Sequence, residues 1–255
     1  MSHNKLLQIA INHNAYFTTD TFHLLAIHAD YLCIKMAHEN QIPWDCNTTA
    51  ALASRGDFEC FRYVIDNGCP STVDTVTNAA SNGHLTCLIY ALYNNCPVNT
   101  SAQLLAADNG HLECLKVLHQ KMRFMLPKEL MLAVANQDKP IIDYLLRMRC
   151  PISNCLMEVA VETDNETIVK QLYEMNIPFC HVSCYLTATR IGSIKMMELL
   201  LTWENSKAID SYFKMAFAPT SDSAHDVIKI AIQLGHMDVI KLLINSGFKW
   251  IERHL

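Results

Sequence analysis

The chain has 255 residues, a formal net charge of −5, and 51% hydrophobic against 18% charged residues, a balance that offers ample apolar surface for burial and lies outside the disordered class. The acidic balance and the lack of a basic stripe argue against nucleic acid as a partner, since such binding needs clustered Lys and Arg. No run of about 18 apolar residues is present to span a bilayer, and the start Met1-Ser-His-Asn-Lys-Leu-Leu-Gln lacks the apolar core and cleavage site of a secretion signal; the expected compartment is therefore cytoplasmic.

In chain order, residues 5–15 read as one helix matching only the second half of a longer unit. Its polar positions Lys5, Gln8 and Asn12 are expected to face water while Leu6, Ile9 and Ala10 cover the first complete unit. Beyond it a pattern recurs. Leu52-Ala-Ser-Arg-Gly-Asp-Phe-Glu-Cys-Phe61 is followed by Ala79-Ala-Ser-Asn-Gly-His-Leu-Thr-Cys-Leu88 and by Ala106-Ala-Asp-Asn-Gly-His-Leu-Glu-Cys-Leu-Lys-Val-Leu118. The spacing from Asp57 to His84 and from His84 to His111 is 27 residues. The same column holds Asp30, Asp138 and Asn165, then Ser193 after one extra residue and His236 after a longer interval, making eight copies. An independent marker keeps the register: Pro43, Pro70, Pro97, Pro151 and Pro178 share the grid, with Phe124 the one exception. Fixed self-similarity at this period marks a stacked repeat architecture.

Each copy reads as two short helices. In the first, the residue five before the anchor is Leu25, Leu52, Ala79, Ala106, Ala133, Ala160, Ala188 or Ala231; small apolar residues there let neighbouring helices approach closely. Gly56, Gly83, Gly110, Gly192 and Gly235 precede the anchor, where a sharp turn needs a left-handed backbone. The anchor then caps the second helix: Asp, Asn and Ser accept from unpaired amides, and Glu59, Glu113 and Asp238 lie two residues on, at the positive end of the dipole. Cys114, Leu115 and Leu118 give the second helix its apolar face, and Asn67-Gly68, Asn95 or Asn245-Ser-Gly247 ends it. The eleven cysteines fall mostly on columns, Cys33, Cys60, Cys87 and Cys114 on one and Cys69, Cys96 and Cys150 on another. Stacked equivalents lie about 10 Å apart, beyond the roughly 7 Å that a disulfide tolerates, so thiols are expected.

The grid breaks between Ser193 and His236, where 43 residues replace 27. Residues 208–217 have helical apolar spacing, and Pro219-Thr-Ser-Asp-Ser223 reads as a loop capping the next helix. Both a tolerated insertion and a dedicated contact surface fit this segment. The whole chain, 1–255, is read as one domain: a half-unit cap over 1–17, seven repeats over 18–203, the insertion over 204–224, and a final repeat with C-terminal cap over 225–255.

The motif Ala-Ala-x-x-Gly-His-Leu-x-x-Leu-x-x-Leu resembles the centre of the ankyrin repeat, and copies of it cover nearly the whole chain. That resemblance implies an all-α, ankyrin-like solenoid of helix-turn-helix units. Ankyrin units run to about 33 residues, and two departures stand out here: the shorter period, and Ser101-Ala-Gln-Leu or Asp74-Thr-Val-Thr in place of the Thr-Pro-Leu-His opening. The short unit, with ends such as Asn67-Gly-Cys-Pro70, is similar to ankyrin-like proteins of large DNA viruses of amoebae, which would place the protein in a host cytoplasm.

The resemblance also implies function: a non-catalytic scaffold, expected to be a monomer, whose expected partner is an unidentified protein, of host origin if the chain is viral. Binding residues carried over by motif are the pair between the alanines and the glycine, Ser54 and Arg55, Ser81 and Asn82, Asp108 and Asn109, extended to Asn136, Thr163 and Arg190 where the motif has decayed. The same residues fit a second reading as solvated turn positions. No phosphate loop, nucleophile elbow or carboxylate pair stands out, so no catalytic residue, cofactor or membrane contact is expected. Cys180-His181-Val-Ser-Cys184, with Cys150 and Cys155 one unit earlier, offers half of a metal or redox site, but zinc wants four converging ligands and no metal is expected. A self-assembling structural component is a further alternative. The register itself is testable: Ala106→Leu is expected to destabilise by about 1–3 kcal/mol through overpacking of an interior column, measured by urea unfolding, and an unchanged midpoint would place the column wrongly.

Overall fold

The computed structural model describes residues 3–204 and 222–246. The helix expected over 208–217 and the chain from Gly247 onward lie outside the described residues. Among the described residues there are helices and no strand. The chain divides into two compact units, Met1–Glu129 and Leu130–Leu255.

The first unit opens with α1 (His3–Asn12), followed by the pairs α2 (Thr19–His28) with α3 (Tyr31–Glu39), α4 (Cys46–Arg55) with α5 (Phe58–Asp66), α6 (Val73–Ser81) with α7 (Leu85–Tyr93), and α8 (Thr100–Asp108) with α9 (Leu112–Met122). First helices pack on first helices, α2 on α4, α4 on α6 and α6 on α8; second helices pack on second, α3 on α5, α5 on α7 and α7 on α9. The division falls within α10 (Pro127–Ala135), which pairs in sequence with α11 (Lys139–Arg147). The second unit continues with α12 (Leu156–Glu162) and α13 (Glu166–Glu174), α14 (His181–Ile191) and α15 (Ile194–Glu204), and α16 (Asp222–Leu234) and α17 (Met237–Asn245). Here α14 packs on α12 and α16 on α14, while α15 packs on α13 and α17 on α15. The last two pairs are therefore direct neighbours despite the 43-residue interval between their anchors. Helix α16 starts at Asp222, slightly ahead of the repeat boundary expected at 225.

The small-residue column lies where the packing argument needs it. Leu52, Ala79, Ala106, Ala133, Ala160, Ala188 and Ala231 are buried; Leu25, in the first pair, is half-buried. Cys114, Leu115 and Leu118 of α9 are buried on the opposite helix of the pair. The helix starts obey the capping chemistry: Asp30 accepts from the Cys33 amide at 3.0 Å, Asp57 from Cys60 at 3.1 Å, Asp138 from Ile141 at 3.0 Å, Asn165 from Thr167 at 3.1 Å and Ser193 from Met196 at 3.2 Å.

The N-terminal helix corrects one expectation. It packs on α3, in the second-helix position, as expected of a half unit, but its buried residue is Leu7, whereas Leu6 and Ile9 are exposed. The cause is Asn4. Its amide donates to Asp30 at 3.2 Å and its carbonyl accepts from the Cys33 thiol at 2.6 Å, which turns the Asn4–Leu7–Ile11 stripe toward α3 and Leu6 with Ile9 outward.

The histidine anchors behave differently from the Asp, Asn and Ser anchors. His84, His111 and His236 occupy the cap position without accepting a cap bond from their side chains. Each ring instead lies over the glycine of the preceding copy. A Cβ on Gly83 would meet the His111 ring at 2.6 Å, one on Gly192 the His236 ring at 2.7 Å, and one on Gly56 would collide with His84. Two demands thus converge on these glycines, a φ of +72 to +76° and the absence of a side chain. Where the next copy's anchor is small, the glycine is dispensable. Gln137 and Asp164 hold the same left-handed turn at φ 56° and 54°, and their side chains bond the next anchor: Asn165 donates to Gln137 at 2.8 Å and Ser193 to Asp164 at 2.5 Å.

Gly83→Ala is expected to lower stability by about 1–3 kcal/mol, since the left-handed backbone alone costs about 1–2 kcal/mol and the ring contact adds to it. His111→Ala in the same chain removes the steric part. Urea unfolding of the two single variants and the double variant should therefore show a double cost smaller than the sum; strict additivity would mean that ring and glycine do not share this space.

Candidate functional site

The turn positions expected to bind a partner sit at the C-terminal ends of the first helices, where the last carbonyls lack intrahelical donors. Several are already engaged in joining one copy to the next. Arg55 donates from Nη1 to the Ala26 and Ala29 carbonyls at 3.2 and 2.5 Å and from Nη2 to Asp57 at 2.8 Å. His84 Nε2–H donates to the Ser54 carbonyl at 2.9 Å, Asn109 Nδ2 to the Ser81 carbonyl at 2.9 Å, and His236 Nε2–H to the Arg190 carbonyl at 3.3 Å. Asn82 donates to the Asn78 carbonyl at 2.9 Å and approaches the Ser54 and Ser81 hydroxyls at 3.4 and 3.3 Å. Ser81 is half-buried and donates to Asn78. In the second unit Thr163 is half-buried and donates to the Ala160 carbonyl at 2.7 Å, while Asn136 and Arg190 are exposed. Asp108 is exposed at the end of α8. The expected set is thus divided. Arg55 and Asn109 hold copies together, whereas Ser54, Asn82, Asp108, Asn136 and Arg190 present accessible surface.

A groove that sequence reasoning missed lies beside these turns. It has a volume of about 570 Å³ and crosses the exposed sides of α2, α4 and α6. Ala50 and Ala51 of α4 line it, with His23 and Ile27 from α2 and Asp74 and Asn78 from α6. Two cross-helix bonds brace it: His23 Nδ1–H donates to the Asn47 carbonyl at 3.3 Å and Asn78 Nδ2 to the Ala50 carbonyl at 3.2 Å. The 27-residue grid contains a signal for it, since residues 23, 50 and 77 and residues 47 and 74 are columns on the first helices. Of the groove residues only Ser54 and Arg55 belong to the motif-derived set.

The Cys180, His181 and Cys184 cluster does not gather into a metal centre. Cys180 is the exposed cap of α14, His181 begins the helix against the Phe179 ring at 4.2 Å, and Cys184 is buried one turn further on. Among the described residues no group of three or more His, Cys, Asp or Glu is arranged to hold a metal ion. Burial holds the His181 imidazole below its ordinary pKa and pushes the Cys184 thiol up to about 12, with Glu158 and Cys180 adding in the same direction. Nor is any helix among the described residues long and apolar enough to cross a membrane.

No protein-family model and no curated protein matches this chain. Among solved structures, the crystal structure of the human ASB11 ankyrin repeat domain superposes with a TM-score of 0.56 at 18% identity, covering 80% of this chain and 99% of that one. The fold is an ankyrin-like stack. At that identity the likeness concerns architecture, and it agrees with helix pairs, left-handed inter-helix turns and first-on-first packing in both units.

None of the eleven cysteines is in a disulfide, and eight of them are buried. Burial first, then the neighbouring Asp30 carboxylate, raises the Cys33 thiol from 9.0 to about 11, and burial with the Asp57 contact raises Cys60 to about 12. Burial likewise lifts Cys87 and Cys114 to about 11. Because these folded-state values are raised, the unfolded chain ionises first. The contribution of these thiols to stability is whole below pH 9 and is lost as pH rises toward 11 to 12. Titration with an aromatic disulfide at pH 8 should find exposed Cys155 and Cys180 fast, half-buried Cys46 slower, and the eight buried thiols reactive only on unfolding; rapid reaction of the Cys33–Cys114 column would contradict this packing.

Proposed function

We propose that this chain is a non-catalytic scaffold that binds another protein through the exposed face of its first helices. The observation that carries this reading is the division of labour within each copy. Turn side chains such as Arg55, His84 and Asn109 are committed to the stack, whereas the first helices of the first unit expose Leu24, Ile27 and Leu105 and carry the groove lined by Ala50 and Ala51. Repeats of this kind assemble an extended surface from equivalent positions, and a stable interface needs roughly 800 Å² per partner, which only several consecutive copies can supply. Eleven cysteines without a disulfide suit a reducing, cytosol-like compartment. The 27-residue unit favours a viral protein acting on a host one.

Capture from host-cell lysate, compared between variants, tests this. Ser54→Arg, Asn82→Arg and Leu105→Arg together place three bulky cations on the first-helix face, and the main captured protein should be lost. Glu39→Arg, Ile89→Arg and Gln120→Arg, at exposed positions of the second helices, should retain it. Circular dichroism should show both variants folded, since exposed substitutions usually stay within about 0.5 kcal/mol. Retention by the first variant with loss by the second would move the interface to the second helices.

A further inference from the structure

We infer that the groove across α2, α4 and α6 receives an arginine side chain from an extended segment of the partner, a reading that deepens the proposed scaffold function and rests on it. The donor and acceptor inventory is one-sided. Asp74 is exposed, lines the groove, and makes no hydrogen bond or ion pair among the described residues. Asn78, one helical turn further along the same face of α6, has its Nδ2 committed to Ala50, which leaves its Oδ1 as an acceptor. On the opposite side, His23 donates from Nδ1 to Asn47, which leaves Nε2 as an acceptor in the tautomer protonated at Nδ1 alone. The one guanidinium in the lining, that of Arg55, is consumed by two carbonyls and Asp57.

Charge around the groove has the same sense. The first helices α2, α4, α6 and α8 carry Asp20, Asp74 and Asp108 against Arg55 alone, apart from the histidines. A groove rich in acceptors, with an unpaired carboxylate and a floor of two alanines, complements a planar group with five N–H donors on an apolar stem. Carboxylate and guanidinium pair through two parallel hydrogen bonds, a geometry an ammonium cannot match. The volume of about 570 Å³ lies within the roughly 300–1,000 Å³ range of pockets that bury a ligand.

Fluorescence anisotropy with a labelled hexa-arginine peptide tests the inference, with hexalysine as the probe of equal charge. Hexa-arginine should bind about fivefold or more tightly than hexalysine, because only the planar group makes the two-bond contact. Asp74→Asn and Ala51→Leu, the first removing the charge and the second filling the floor, should each weaken hexa-arginine by about fivefold or more. Glu59→Gln, an equal charge change on the exposed part of α5, should stay within about twofold. Equal binding of the two peptides, or an Asp74→Asn effect no larger than that of Glu59→Gln, would overturn the arginine reading. The lysate capture separates its failure from that of the scaffold: a partner lost by the triple-arginine variant but held normally by Asp74→Asn and Ala51→Leu leaves the surface in place and removes the arginine.

Discussion

The stack depends on what one copy places over the backbone turn of the copy before it. At that turn the chain must reverse between two helices in a left-handed conformation, which frees carbonyls at the end of the first helix. An imidazole from the next copy covers the turn at Gly56, Gly83 and Gly192, and His84 and His236 also donate to the freed carbonyls of Ser54 and Arg190. Arg55 does the equivalent work at the first junction, reaching Ala26 and Ala29. At these junctions a side chain of the next copy thus satisfies polar groups that would otherwise be costly to shield from water, and it does so only if that copy is in register. Local turn chemistry and inter-copy stacking are therefore one constraint.

This coupling explains which features were legible in the sequence. Helix pairs, their register and the buried alanine column follow from spacing alone, because a helix pair stacked on its like must put the same side inward in each copy. The pairing of glycine with the next copy's histidine is equally present in the sequence, but across two copies: Gly56 answers to His84, not to its own neighbour Asp57. Within one copy, the glycine explains only its φ. The substitution of Gln137 and Asp164 at the same turn becomes intelligible once the next anchors, Asn165 and Ser193, are seen to be small enough to leave room for a side chain and polar enough to bond it.

Motif position alone does not tell which turn side chains are engaged within the stack, and the reason is physical. Arg55 carries a charge at a position that the motif resemblance marks for partner contact, yet its donors are spent on two carbonyls and Asp57. Which exposed side chains remain free depends on bonds between copies, and those depend on the neighbouring sequence rather than on the motif position. The first helix of the chain shows the same effect, where the polar Asn4 turns inward to meet Asp30 and Cys33 and sends Leu6 and Ile9 outward.

The interval before His236 shows how far the junction can tolerate change elsewhere. The spacing from Ser193 to His236 exceeds the 27-residue period by sixteen, and the stacking contact is nonetheless made. The contact is preserved: α16 lies against α14 and α17 against α15, and His236 sits over Gly192 as His84 does over Gly56. With the junction contacts kept, the solvent-facing columns of the first helices differ from copy to copy. Half-buried His23, Ala50 and Thr77 share one such column and exposed Asn47, Asp74 and Ser101 another, and it is there that repeated units come to present different side chains along one face.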